Sequence, residues 1–103
     1  MIDLKEKGKE VIQNKKNKGF NTTDVKEEFL YLYGEVGEAF MAWLKKEDDL
    51  GEELADVAIY LLGICEILDI DLEKEIEHKI LKNSKREYTM VNGILRRTKE
   101  YDG

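Results

Sequence analysis

Leu54-Ala55-Asp56-Val57-Ala58-Ile59-Tyr60-Leu61-Leu62-Gly63-Ile64-Cys65 is a run in which every residue except Asp56 is apolar or glycine. Wound as an α-helix, it carries apolar side chains round most of its circumference, the mark of a helix covered on several sides. Asp56 is therefore expected to be buried or nearly so. A carboxylate withdrawn from water is stable only when paired, hydrogen-bonded or bound to a metal, because leaving it alone costs several kcal/mol. The surroundings of this one acid thus decide both the fold and the chemistry.

Outward from that run, four helical segments can be placed. Residues 2 to about 17 carry sparse apolar positions (Leu4, Val11, Ile12) among lysines, and Gly19 and Asn21 read as a break. Asp24 followed by Glu27 resembles an N-cap pair. After it, Val25, Phe29, Leu32, Val36, Phe40 and Trp43 recur at three- and four-residue spacing, which predicts a second helix to about residue 46 with that stripe in the core. Glu47-Asp48-Asp49 and Gly51 form a connector, and the third helix runs to about residue 68. Asp71 can cap a fourth helix whose stripe begins with Leu72, Ile76 and Ile80. Beyond Glu87, Asn92-Gly93 marks a turn in a tail that is either helical or loose.

The chain has 103 residues, enough for one domain over residues 1–103 and too few for two good cores. It contains no proline, and 39% of its residues are charged, many of them helix-forming Lys and Glu, so an all-α, four-helix-bundle-like fold is expected and an all-β one is not. A net charge of -6 argues against binding nucleic acid backbones, which needs a basic surface. The small basic clusters Lys15-Lys16 and Arg96-Arg97 read as solvated helix ends and tails. Cys65 is the single cysteine, so no intrachain disulfide forms, and its apolar surroundings suggest an inert packed thiol. No apolar run is long enough for a membrane span and the charged N-terminus lacks a signal-peptide core, so a cytoplasmic location is expected, with no membrane partner.

Residues three apart on a helix share a side. Glu53 and Asp56 are such a pair on the third helix, and Glu35 and Glu38 form a second on the helix before it. The fourteen residues between Glu38 and Glu53 supply the rest of one helix, a connector and the start of the next, so the pairs can face each other across an antiparallel hairpin. Four carboxylates packed together repel and raise one another's pKa values unless a hard cation joins them. Oxygen ligands without His or Cys favour Mg²⁺, with Mn²⁺ as a possible substitute, over Zn²⁺. On the fourth helix Lys79, Asn83 and Arg86 continue the line of Leu72 and Ile76, so a buried stripe turns cationic; it suits phosphate oxygens, or else complements the helix dipole. Tyr31 lies one turn before Glu35 on the same side and can stack on a base or cap the site. Glu75-x-x-His78 has the spacing of di-iron bundles, which need two such motifs, and His78 is expected to be exposed.

Glu35-x-x-Glu38, the fourteen-residue gap, Glu53-x-x-Asp56 within EELADVAIYLL, and KILKNSKREY together resemble the MazG-like all-α nucleoside triphosphate pyrophosphohydrolases, over about residues 29–88. The resemblance implies Mg²⁺-dependent cleavage of a (d)NTP substrate to the monophosphate and pyrophosphate, in the manner of nucleotide-pool house-cleaning. It implies Glu35, Glu38, Glu53 and Asp56 as metal ligands and catalytic residues, and Lys79, Asn83, Tyr88 and Arg86 at the phosphates or sugar. It also implies an oligomer, a homodimer or homotetramer. Many members carry an acid directly before the first motif glutamate, where this chain has Gly34, and the tryptophan associated with dCTP-selective members does not coincide with Trp43, so the base preference stays open. The rival reading is a non-catalytic helical module that binds nucleotide or a protein partner without turnover.

Overall fold

The computed structural model describes residues 1–99. Its element order is α1 (Leu4–Lys18), α2 (Val25–Leu44), α3 (Leu50–Ile67), α4 (Leu72–Lys85), β1 (Glu87–Val91) and β2 (Ile94–Lys99). All four expected helices are present. The chain divides into two compact units, Met1–Leu72 and the segment from Glu73 onward.

In the first unit, each helix ends for a local reason. Asp3 caps α1 by accepting hydrogen bonds from the amides of Lys5 and Glu6, and Gly19, at φ 77°, closes it in the left-handed conformation that glycine adopts without strain. Asn21 shapes the next turn. Its Oδ1 accepts from the Asp24 amide at 3.0 Å and its Nδ2 donates to the Asp24 carbonyl at 2.9 Å, presenting Asp24 to cap α2 through the Glu27 amide. Beyond α2, Lys46 at φ 56° turns the chain, and α3 starts at Leu50, so Gly51 lies inside the helix rather than in the connector. The short link makes α2 and α3 an antiparallel hairpin. α1 packs on α3 where both are slim: a Cβ on Gly8 would meet the Leu62 carbonyl oxygen at 3.4 Å, and one on Gly63 would meet Val11 at 3.4 Å.

The line along which α2 is most buried differs from the expected stripe. Glu28, Ala39 and Ala42 are buried and Leu32 and Glu35 partly so, a series with steps of four, three, four and three residues. Phe29, Phe40 and Trp43, expected in the core, are 42%, 56% and 60% exposed. Phe40 and Trp43 stack on each other with ring centroids 6.2 Å apart. α3 shows the same rotation. Its partly or fully buried line is Glu53, Val57, Tyr60 and Ile64, whereas Asp56 is exposed and Leu54 is 55% exposed. The expected burial of Asp56 is thus corrected: within its unit, α3 meets α1 and α2, and Asp56 stands off both contact lines. Among the described residues, the buried apolar side chains are those of Ile12, Ala39, Ala42, Ile64 and Cys65.

A second correction concerns Lys15. It is buried rather than solvated, and its Nζ donates to Oε1 of the fully buried Glu28.

α4 begins directly after Asp71, and all of it but Leu72 belongs to the second unit, where the tail is neither helical nor loose. β1 and β2 form an antiparallel hairpin in which Tyr88 pairs with Arg97, Met90 with Leu95 and Val91 with Ile94. Asn92 and Gly93 have φ of 52° and 78°, the two positive values of a type I′ turn, whose twist matches that of the strands.

Candidate metal centre

Because Glu35 lies on the buried line of α2 and Glu53 on that of α3, the helix hairpin itself brings the two carboxylates together. Glu38, one turn beyond Glu35, joins them. One carboxylate oxygen from each of Glu35, Glu38 and Glu53 lies within 4.8 Å of the others. Asp56, the fourth acid expected here, stands outside that set, but its charge still acts on Glu35 and Glu53.

The electrostatics record the crowding. Burial, then the charge and hydrogen bond of Glu38, then the charges of Asp56 and Glu53 push the Glu35 carboxyl above the ordinary carboxylate range. Glu53 is pushed up by burial first, then by Asp49, Glu38, Asp56 and Glu47. Oε2 of Glu35 and Oε2 of Glu53 are buried and accept no hydrogen bond, a costly state for oxygens carrying negative charge. Two orphaned oxygens beside a third carboxylate make a hard-donor set that fits a divalent cation taking oxygen ligands. The cluster opens on a cleft of about 490 Å³ bordered by Gly34, Gly37, Glu38, Glu47 and Glu53. A Cβ at Gly34 or Gly37 would meet nothing within 4 Å, so this wall is open.

Residues 23–91 match the family model of the MazG nucleotide pyrophosphohydrolase domain. The chain belongs to that family. No curated protein and no solved structure matches it. The matched span holds α2, α3 and α4, and so includes the three clustered glutamates of this MazG domain.

The remaining expected site residues fall into two groups. Tyr31 lies one turn before Glu35 on α2; its hydroxyl donates to Oε1 of Glu27 at 2.6 Å, and that bond, with the Glu27 charge, holds the phenol above its ordinary pKa. Its ring is 6.1 Å from that of Tyr60. Lys79, Asn83 and Arg86 lie on or just after α4 and Tyr88 on β1, all in the second unit. There Arg86 donates from Nη1 to Oδ1 of Asn83 at 3.1 Å.

Three features of the MazG domain escaped the reading of its sequence. Tyr60, one turn after Asp56, has its hydroxyl pKa raised by burial and then by Glu35, Glu28, Asp56 and Glu38. Asp49, at the N-cap position of α3, makes no side-chain capping bond and keeps Oδ1 buried without a partner. Glu47, placed in a connector and given no role, borders the cleft. Helical spacing from Asp56 was the available signal for Tyr60; a five-residue connector carries none for the other two. Among the described residues, no helix is long and apolar enough to cross a membrane.

Proposed function

We propose that this MazG domain hydrolyses nucleoside or deoxynucleoside triphosphates to the monophosphate and pyrophosphate with Mg²⁺, as a nucleotide-pool house-cleaning enzyme. The observation that carries the reading is the convergence of Glu35, Glu38 and Glu53 with two buried oxygens lacking any donor. Glu35, Glu38 and Glu53, joined by Asp56 from the next turn of α3, would hold Mg²⁺, or Mn²⁺ in its place. Held there, the cation would supply positive charge against the phosphates and make water more acidic.

The protein's own groups do the rest. A carboxylate of the set accepts a hydrogen bond from the attacking water and keeps it in line with the scissile bond. Lys79 and Arg86 place positive charge on phosphate oxygens, with Asn83 held by Arg86 as a directional donor, and Tyr88 meets the sugar or phosphates. The reaction requires no protein nucleophile. Cys65 agrees with this, being buried with its thiol pushed above the ordinary range by desolvation. The working form is a homodimer or homotetramer.

Incubation with a panel of NTPs and dNTPs, with and without Mg²⁺, tests the assignment. The expected products are monophosphate and pyrophosphate, formed only with the metal. Release of orthophosphate, or nucleotide binding without turnover, would replace this reading with another chemistry or with a binding module.

A further inference from the structure

Glu28 is fully buried and Lys15 is 8% exposed. The Lys15 ammonium donates to Oε1 of Glu28, and Asn21 Nδ2 donates to Oε2 at 3.0 Å, so both carboxylate oxygens are satisfied. For stability alone such a pair gains little, since apolar residues of similar volume would serve as well. The ammonium has a further contact. It stands 4.9 Å from the centroid of the Tyr60 ring, within the range of a cation–π interaction.

Tyr60 occupies a connecting position. It contacts the Tyr31 ring at 6.1 Å, and Tyr31 is one turn before Glu35 on α2. On its own helix it is one turn after Asp56, and it lies on the buried line with Glu53. Glu28 is two turns before Glu35. The ring therefore sits between the buried pair and the parts of α2 and α3 that carry the carboxylates. The charges of Glu35, Glu28, Asp56 and Glu38 all act on its hydroxyl, so the fields of both groups reach it.

We propose that Lys15 is a positioning residue for the carboxylate cluster, acting through Tyr60. The ammonium fixes the ring, and the ring holds the facing turns of α2 and α3 at the spacing that a shared cation needs. α1 thereby belongs to the working site although it contributes no carboxylate to it. The inference rests on the reading of the cluster as a cation site.

Mn²⁺ titration of the full chain, with free ion followed by electron paramagnetic resonance, tests it without reference to turnover. The pair is neutralised together as Lys15→Met/Glu28→Gln, which leaves no uncompensated buried charge, and is compared with Tyr60→Leu and with the triple variant. Cooperative melting in EDTA checks that each is folded. The pair variant and Tyr60→Leu should each lose about tenfold in Mn²⁺ affinity, the scale of outer-shell support, and the triple variant no more than either, because all cut one link. In wild type, NMR signals of the Lys15 side chain and Tyr60 ring should shift on adding Mg²⁺. A wild type that binds no Mn²⁺ overturns the cation-site reading and this inference with it. Undiminished binding by the pair variant, additive losses in the triple variant, or an unmoved Lys15 signal overturns the inference alone.

Discussion

Glu35 sits where the chain has least freedom to relieve a charge: on the contact line of α2, half-buried, with Oε2 unpartnered and Glu38 beside it. A carboxyl whose pKa is raised on folding binds its proton more tightly folded than unfolded. Its contribution to stability is therefore present at low pH and is lost as the pH climbs from the ordinary carboxylate value through the raised one. In EDTA, Glu35→Gln should melt above wild type at pH 7, and the difference should close at or below about pH 4, where the unfolded-state carboxyl is also protonated. Thermal scans across that range check it; a gap independent of pH would mean that the charge is not the cause. With Mg²⁺ the order should invert, since a ligand at a hundred times its Kd adds roughly 2.7 kcal/mol to the protein that binds it. On activity, Glu38→Gln and Asp56→Asn should each cost on the order of 10²–10³-fold in kcat/KM, as removal of a preorganised electrostatic group does. Glu10→Gln, whose charge is spent on an exposed pair with Lys7, should cost nothing measurable. The acids themselves were legible because their spacing is local. Their burial was not: Asp56 stands out among apolar neighbours, yet Glu35 and Glu53 occupy the contact lines, and which side of a helix meets which neighbour is a tertiary fact.

Among the elements, the start of α2 was legible because its cap is encoded within three residues, whereas the Asp3 cap of α1 was not singled out and α3 begins before the Gly51 assigned to the connector. Asp24 accepts from the Glu27 amide as its sequence context implies, and Asp24→Ala should lower stability by about 0.5–2 kcal/mol, measurable by chemical denaturation. The register of packing was harder to read. Ala39 and Ala42 fill the α2–α3 contact while Phe40 and Trp43 do not, and a hydrophobicity stripe weighs the aromatics more heavily than the alanines. Lys15 shows the same limit from the polar side: its partner lies thirteen residues away, beyond any local pattern. At the C-terminal end, Asn92-Gly93 was visible as a turn, but strands of five and six residues interleaved with Arg96, Arg97 and Thr89 carry too little alternation to declare themselves. With Gly93 at φ 78°, Gly93→Ala should cost about 1 kcal/mol and speed amide exchange in both strands roughly fivefold.

At the scale of the whole molecule, the buried apolar side chains among the described residues are two alanines, two isoleucines and a cysteine, a small set for a chain of 103 residues. The proposed oligomer would supply further burial. Phe40 and Trp43, stacked on each other, line a groove of about 440 Å³ between α2 and α3 together with Val36, Leu50, Leu54 and Val57. Val36, Phe40, Trp43 and Leu54 are all exposed, and large apolar side chains grouped in this way suit an interaction face. A second copy of the same hairpin meets its needs, since a two-fold interface places like patches against each other. Light scattering at micromolar concentration should return a mass at least about twice the 12.0 kDa of one chain. Wild-type melting should depend on concentration, and Trp43→Glu, which sets a carboxylate into the groove, should shift the distribution towards the single chain and lower the melting temperature. A 12.0 kDa species from wild type, melting at the same temperature at every concentration, would mean that the exposed α2–α3 face is tolerated by the single chain and that its apolar residues serve some other partner.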